Sequence, residues 1–220
     1  MLKKGLNTVL LRTHFYNSQE TVNKIARARA FEAEMNMLSF ESEIESIYLL
    51  GEFTVAGEGE YIPSAGKTLI RQEGFQLDEP VELRRGGELT VCGYPFFSGS
   101  ALFEQEIELK AVESFGSIIF KMDRPNCALS RLQVNGLEVK TFLWAPYEAE
   151  IRPYVREGVN TIALELVSTD RNLFGPHHHP RGELYKLGPL QFTDIEGWKD
   201  SYCFIRFGPE GEPFIQCFEK

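Results

Sequence analysis

The stretch from Gln133 to His179 constrains the fold of this chain more than any other part of its sequence. It places the pair Asn135-Gly136 between two short segments rich in apolar residues. Such a pair is a strong hairpin signal, because a type I′ turn requires positive φ at both central residues. An alternating strand, a Pro-Tyr corner and a charged turn at 156–158 follow, and that turn opens the strand predicted at 160–167. This succession of short strands and tight turns is typical of a β-sandwich.

Residues 3–11 (KKGLNTVLL) repeat the pattern of residues 156–164 (REGVNTIAL) near the start of the chain. The second copy closes a sandwich, whereas no sandwich precedes the first. We therefore expect residues 1–17 to be the last strand of a preceding, truncated domain, with the strand itself at 7–15. On this interpretation the chain is a piece of a larger protein, in which a linker helix over 18–42 leads to a β-sandwich over 43–220.

Two kinds of pattern divide the rest of the chain. Asn17-Ser18 provides an N-cap, and apolar residues near a 3.6-residue spacing predict a helix over 19–38. Further strands are predicted at 45–55, 67–71, 74–77, 101–109, 117–122, 129–134, 188–193, 202–207 and 214–218. Strands at intervals of about 8–12 residues indicate a sandwich or jelly roll rather than βαβ units. The expected fold class is all-β, a jelly-roll β-sandwich with one N-terminal helix.

Charge and composition exclude some classes of partner. The net charge is −9 and no basic stripe stands out, which argues against binding of nucleic acid. No run approaches the roughly 20 apolar residues that a membrane-spanning helix requires, so no membrane partner is expected. The sequence MLKK is followed by glycine rather than by an apolar run, so no secretory signal is recognised. Both the cytoplasm and secretion with a parent enzyme stay open as compartments.

The four cysteines occur without a CxxC pair and without metal-ligand spacing. Each lies in an apolar or turn context, where a reduced structural thiol is common. We expect reduced thiols, with Cys203 and Cys217 as the pair to test for a disulfide.

Two motifs invite a chemical interpretation that their spacing does not support. Residues 64–68 (SAGKT) end like a phosphate-binding loop, but Tyr61 stands where that motif requires its first glycine. The histidines at 177–179 are adjacent, so their side chains point in different directions and rarely converge on one ion. A loop or interface role is favoured for them, with direct ligand contact and metal binding as alternatives.

The acidic residues Glu104, Glu106 and Glu108 alternate along one predicted strand and therefore share a face. Glycoside hydrolysis needs two carboxyl groups that face each other across a cleft. The alternation instead indicates a solvated acidic face of a half-exposed strand. No catalytic residue is assigned.

Aromatic residues in or beside the predicted turns give the better clue to function. Modules that bind sugars place aromatic rings against the apolar face of a pyranose and use a few polar groups for its hydroxyls. The candidate ligand-binding residues are Trp144, Tyr147, Arg171, Asn172, His177 and Phe96. The alternative is that Trp144 and Tyr147 belong to the core or to a domain interface.

Several of these motifs together resemble a known family. Residues 134–136 (VNG), 144–147 (WAPY) and 157–161 (EGVNT) resemble the galactose-binding-like jelly roll of many multidomain glycoside hydrolases. Examples are the sugar-binding domain of family 2 enzymes and accessory domains of family 106 rhamnosidase-like proteins. Residues 48–53 (YLLGEF) and 171–178 (RNLFGPHH) resemble the C-terminal region of large bacterial members. The resemblance spans roughly residues 48–192.

These enzymes keep their catalytic acids in a separate barrel, of which nothing is recognisable here. The resemblance therefore implies a non-catalytic carbohydrate-binding or structural accessory domain of a bacterial glycoside hydrolase-like protein. Its partners would be a carbohydrate and a neighbouring catalytic domain. The alternative is that the loop at 171–180 contributes substrate contacts to an active site built by a domain absent from this chain. The resemblance also implies that a structural Ca²⁺ is possible, although the sequence does not single out its ligands.

Overall fold

The computed structural model of this protein describes residues 3–42, 44, 47–57, 59–72, 74–81, 87–179, 184, 187–188, 192 and 198–220. The contacts between residues divide the chain into two compact units, Met1–Gly51 and Glu52–Lys220. No helix of the described residues is both long enough and apolar enough to cross a membrane.

The first unit contains two short helices where the sequence predicts one long helix over 19–38. Helix α1 spans Gln19–Ala28 and helix α2 spans Glu32–Met35, with a turn between them. Ser18 caps α1, because its hydroxyl oxygen accepts a hydrogen bond from the backbone N–H of Thr21 at 3.2 Å. The predicted start is confirmed, and the predicted length is wrong.

A carboxylate accounts for the break in the helix. Glu41 accepts hydrogen bonds from the hydroxyls of Ser18 at 2.6 Å and Thr21 at 2.9 Å, which lie at the start of α1. These bonds hold the pKa of Glu41 down at about 2. A straight helix of 20 residues would be about 30 Å long and would carry the chain away from its own N-terminus. The turn after α1 lets the chain return.

The turn near the start of the chain forms, but the strand expected after it does not. Asn7 donates from Nδ2 to the carbonyl oxygens of Lys3 and Gly5 at 2.7 and 2.8 Å, and its Oδ1 accepts from the Lys3 N–H at 2.8 Å. Residues 7–15 form no strand, because no described strand lies beside them to supply ladder hydrogen bonds. The assignment of residues 1–17 to a preceding domain stays a prediction.

Antiparallel strands make up most of the second unit. The strands are β1 (Thr54–Gly57), β2 (Ile62–Pro63), β3 (Thr68–Arg71), β4 (Phe75–Asp78), β5 (Ser100–Leu109), β6 (Phe115–Lys121), β7 (Leu129–Val134), β8 (Leu137–Phe142), β9 (Glu148–Glu150), β10 (Gly158–Val167), β11 (Tyr202–Ile205) and β12 (Phe214–Glu219). The short elements are α3 (Arg171–Phe174) and the 3₁₀ turns Val112–Ser114 and Arg152–Tyr154. The expectation of a β-dominated fold is thereby confirmed.

The described strands pair in four sheets. Their orders are β1-β4, β5-β10-β7-β8, β11-β3-β2 and β12-β6-β9. Most predicted strands of this unit begin and end within two residues of the observed ones. The strand predicted at 45–55 is reduced to β1, and the strand predicted at 188–193 lies largely outside the described residues.

One hydrophobic core joins the four-stranded sheet to the sheet β12-β6-β9. Strand β7 alternates half-buried and buried positions, with Leu132 and Val134 buried, as expected for a strand with one face on a core. Ile118 and Phe120 of β6 contribute from the opposite sheet. The two antiparallel sheets therefore share one hydrophobic core.

The Asn135-Gly136 hairpin between β7 and β8 is confirmed. Both residues have positive φ, 52° and 79°, as a type I′ turn requires. The amide of Asn135 also donates to the carbonyl oxygen of Tyr154 at 2.8 Å and accepts from the N–H of Thr161 at 3.0 Å. The hairpin is therefore tied to the start of β10.

Asn160 lies at the centre of this connection and is fully buried. Its Nδ2 donates to the carbonyl oxygens of Arg156 and Gly158 at 2.7 and 2.9 Å. Its Oδ1 accepts from the Arg156 N–H at 2.8 Å and from the amide of Asn135 at 2.9 Å. The bonds to residues 156 and 158 have the same spacing as those of Asn7, so the repeated sequence forms the same turn twice.

All four cysteines are free thiols, which leaves the expectation of reduced structural thiols standing. Cys203 is buried in β11, whereas Cys217 is exposed in β12, a strand of another sheet. They do not form the disulfide that we named as the pair to test. Burial raises the pKa of Cys127 to about 11, which keeps that thiol protonated at neutral pH.

Candidate ligand-binding surface

The sheet β11-β3-β2 carries a group of rings that we term the aromatic cluster. Its members are Tyr61, Phe75, Phe96, His177, His178, Trp198, Tyr202 and Phe204. Strand register explains why they meet. Arg71 of β3 lies directly opposite Tyr202 of β11, and Leu69 lies opposite Phe204. Because opposite residues point to the same face, the two β11 rings share a face with Arg71.

The rings pack mainly edge to face and leave part of their area accessible. The ring centroids of Phe75 and Tyr202 are 4.9 Å apart, and those of Phe96 and Phe204 are 5.0 Å apart. Phe204 is buried, whereas the rings around it are half-buried, and Trp198 at the rim is 55% exposed. The aromatic cluster therefore presents ring faces and edges to solvent instead of forming a closed core.

Arg71 lies among these rings with its residue only 4% exposed. Its guanidinium carbon is 4.7 Å from the centroid of the Tyr61 ring and 5.0 Å from that of Phe75. Both distances are within the range of cation–π interactions. The aromatic cluster thus contains a positive charge in addition to its apolar surface.

The loop after β10 is fixed against the outer edge of β11. The side chain of Asn172 acts like a strand partner of Ile205, because Nδ2 donates to its carbonyl at 2.7 Å and Oδ1 accepts from its N–H at 2.8 Å. The Cys203 N–H donates to the carbonyl of His177 at 2.7 Å. These bonds satisfy the edge of the sheet and bring the histidines to the aromatic cluster.

His177 is held in its neutral form. Its Nε2 lies 2.7 Å from the carbonyl oxygen of Asn172 and donates to it, because a carbonyl can only accept. Burial among the rings lowers the pKa of His177 to about 4. At neutral pH the ring therefore contributes apolar surface and no charge.

The predicted site residues fall into two groups. Phe96, Asn172 and His177 meet at the aromatic cluster, where the rings of Phe96 and His177 are 5.5 Å apart. Arg171 is buried, and its Nη2 lies 3.9 Å from Sγ of Cys203. Because Cys203 alternates with Tyr202 and Phe204 along β11, this contact places Arg171 on the other face of the strand.

Trp144 and Tyr147 lie on the segment after β8. Tyr147 is half-buried and packs against the sandwich core, with its ring centroid 6.3 Å from that of Phe142. Trp144 is 72% exposed. None of the ring contacts in the described part of the chain joins either residue to the aromatic cluster. Core packing, which was one of the two alternatives for this pair, therefore applies to Tyr147 only.

Sequence reasoning missed most of this surface. The residues that it did not name are Tyr61, Arg71, Phe75, Trp198, Tyr202 and Phe204. The alternation of Tyr202 and Phe204 was a visible signal that both face one side. Nothing local, however, indicates that β11 pairs with β3, more than a hundred residues earlier in the chain.

The other motifs take the structural roles expected of them. Residues 64–68 form the turn between β2 and β3, where the Ser64 N–H donates to the Thr68 carbonyl at 2.9 Å. Glu104, Glu106 and Glu108 are exposed on the edge strand β5. The described residues hold no group of three or more His, Cys, Asp or Glu that could bind a metal.

A large cleft also opens between strands β5 and β12. Its volume is about 1190 Å³. The apolar part of its lining includes Phe103, Ile107, Phe120, Ile162, Phe214 and Ile215. The lining also includes Glu104, Gln105 and Glu212. We place the candidate site at the aromatic cluster instead, because exposed ring surface and a guanidinium lie together there.

No family model matches the chain, and no curated protein matches it. Among solved structures it is similar to the rhamnosidase from Novosphingobium sp. PP1Y, at 24% identity and a TM-score of 0.33, over 61% of this chain and 12% of that one. It is also similar to a β-glucuronidase from Ruminococcus gnavus, at 14% identity and a TM-score of 0.36, over 56% of this chain and 20% of that one. The chain thus spans a small part of the length of these glycoside hydrolases.

Proposed function

We propose that this chain is a non-catalytic, carbohydrate-binding accessory domain of a glycoside hydrolase-like protein, built on a galactose-binding-like jelly roll. The aromatic cluster is the observation that carries the proposal. Half-buried rings on one sheet face, beside a guanidinium, offer the combination that sugars require. The family motifs at 134–136, 144–147 and 157–161 support the fold assignment.

The rim of the aromatic cluster offers both stacking and hydrogen bonding. Trp198 stacks on His178 with a centroid distance of 4.1 Å and an interplanar angle of 19°. Nδ1 of His178 lies 2.8 Å from the carbonyl oxygen of Lys199 and donates to it. Nε2 of that ring is then the acceptor, which suits a sugar hydroxyl. The free face of Trp198 would receive the apolar side of a pyranose.

An accessory role predicts that the acidic residues of this chain are not catalytic. Glu104, Glu106 and Glu108 are exposed on β5, and Glu104 lines the cleft between β5 and β12 together with Glu212. Hydrolysis of a glycoside requires two carboxyl groups within about 5–10 Å on opposite sides of the bond. The enzymes that this chain resembles keep those groups in a separate barrel, so we expect no turnover of aryl glycosides by the chain.

The alternative function assigns the loop at 171–180 to the active site of a neighbouring catalytic domain. The anchoring of this loop to β11, which would present His178 in a fixed position, is the observation that favours it. Substitution of His178 or Arg171 in a parent enzyme and measurement of kcat/KM separates the two functions. An unchanged kcat/KM would contradict the alternative.

Substitution of Trp198, with Trp144 as the control, provides the direct test of carbohydrate binding. The chain would be titrated calorimetrically with plant and host glycans, and then Trp198→Ala and Trp144→Ala would be compared with it. Both rings are largely exposed, so neither substitution should affect folding. We expect Trp198→Ala to raise Kd about tenfold, equivalent to about 1.4 kcal/mol, and Trp144→Ala to change it little. Failure of every glycan to bind would leave the chain only a structural role.

A further inference from the structure

Arg71 is a buried cation with no anion paired to it among the described residues. Within that part of the chain it forms neither a salt bridge nor a hydrogen bond of normal geometry, and its Nε has no acceptor. Its guanidinium lies over the rings of Tyr61 and Phe75. Glu88, whose charge acts on Tyr61, is itself paired with Arg206 at 2.6 Å.

This arrangement is unfavourable for the protein alone. Arginine is almost never fully buried without a paired group, and removal of its charge from water costs more than ring contacts return. Gly57 lies beside the guanidinium, since a Cβ at that position would lie 3.0 Å from Nη2 of Arg71 and 2.1 Å from the carbonyl oxygen of Gly74. A planar cation in such a place favours an oxyanion, whose oxygens can accept from its fork of N–H groups.

A second donor lies next to it. The hydroxyl of Tyr61 is buried and donates to no acceptor in the described part of the chain. Burial raises the pKa of Tyr61, and the nearby guanidinium of Arg71 opposes that rise. The phenol therefore stays protonated at neutral pH and can donate. The Arg71 Nε and the Tyr61 hydroxyl are thus two neighbouring donors without an acceptor within the aromatic cluster.

We propose that Arg71 and Tyr61 recognise the carboxylate of an acidic sugar, a uronic acid residue within a glycan. The carboxylate accepts from the guanidinium and the phenol, while the pyranose ring packs against Phe75 and Tyr202. This inference rests on the proposed carbohydrate-binding function and specifies its ligand class. Because the charge is desolvated among rings, it discriminates an acid from its neutral ester.

Calorimetry with matched ligands tests the inference. The probes are a galacturonic acid trisaccharide, its fully methyl-esterified form, a neutral galactose trisaccharide, and sodium acetate. We expect the wild-type chain to bind the acid at least tenfold more tightly than the ester, and to bind acetate only weakly. Arg71→Met should abolish that preference, Arg71→Lys should retain part of it, and Tyr61→Phe should reduce it.

The thermal stability of Arg71 variants distinguishes a role of Arg71 in ligand recognition from a role in packing. Loss of an unpaired buried charge should leave the Tm of Arg71→Met unchanged or higher, whereas a structural arginine would lower it on substitution. Arg124→Met, at an exposed position, is the control and should change neither Tm nor selectivity. Should Arg71→Met fail to fold, Tyr61→Phe, which removes one oxygen, still reports on selectivity.

The possible outcomes separate the two proposals. Equal binding of acid and ester would overturn the inference while the carbohydrate-binding function stands. Binding of acetate with no binding of any trisaccharide would also overturn it, since the site would then take free anions. Failure of all the sugars to bind would contradict the proposed function itself.

Discussion

Single asparagine side chains connect the β7–β8 hairpin to the start of β10, where the sequence motifs of the second unit lie. Asn160 makes four hydrogen bonds without any exposure to solvent, and Asn135 bridges the hairpin to the start of β10. The motif residues of 134–136 and 157–161 are therefore structural, which explains why they indicate a fold so much better than a ligand.

Asn160→Ala should lower the free energy of unfolding by about 3 kcal/mol, because buried backbone groups lose their partners and cannot reach water. Urea denaturation measures the change. Asn7 makes the equivalent bonds at an exposed position, so Asn7→Ala is the matched control and should cost less than about 0.5 kcal/mol. Equal effects of the two substitutions would show that burial of the asparagine is not what matters.

The elements of the sandwich were predictable where their determinants are local. The Asn135-Gly136 turn and the alternation along β5, β7 and β10 are properties of neighbouring residues, and those strands lie where the sequence puts them. The helix was predicted too long because its break depends on the return of Glu41 to α1. The strand predicted at 7–15 was wrong because residues that favour strands, such as Val, Leu and Thr, do not by themselves supply a partner strand.

The β7–β8 hairpin allows a test of whether its turn requires a residue with positive φ at position 136. Gly136 has φ of 79°, and a Cβ added there would meet nothing within 4 Å, so only the backbone opposes a side chain. Gly136→Ala should therefore lower the free energy of unfolding by about 1–2 kcal/mol. Gly116→Ala on β6, where a Cβ would make ordinary contacts at 3.5 Å, is the control. A change no larger than that of the control would argue against a type I′ requirement.

At the scale of the whole molecule, the pairing of strands that are far apart in the sequence determines which residues form the candidate site. Tyr61 and Arg71 flank the β2–β3 hairpin, whereas Tyr202 comes from a distant strand that reaches them through the sheet β11-β3-β2. The sequence identified Phe96, Asn172 and His177 because turns and polar loops are visible locally. The strand pairing that assembles the remaining rings is a property of the whole chain and was not predictable.

Acidification should destabilise the whole molecule through His177. Its pKa is about 4 when folded and ordinarily 6.5, so the unfolded chain binds more protons between these values. Its contribution to stability is complete above pH 6.5 and is lost as pH falls toward 4, by an amount on the order of 2 kcal/mol. Between pH 7 and pH 5 the unfolding free energy of the wild type should therefore fall by about 2 kcal/mol more than that of His177→Phe.

Glu157 and Glu165 have pKa values below the ordinary 4.5, so their titration does not affect the comparison of the wild type with His177→Phe. The backbone N–H groups of Val112 and Ala111 lower the pKa of Glu157, and Arg131 lowers that of Glu165. Their contributions are present above the ordinary value of 4.5 and are lost below it, in wild type and variant alike. Parallel curves for the two proteins between pH 7 and pH 5 would contradict the role of His177.

The asparagine turn that occurs twice also bears on how this chain folds. Its bonds at residues 3–7 and 156–160 join groups no more than four residues apart, and the first copy forms with no described strand beside it. Contacts this local can close within about a microsecond, well before distant segments of a β protein meet. The turn ahead of β10 can therefore set the direction of that central strand before β5 and β7 arrive to pair with it.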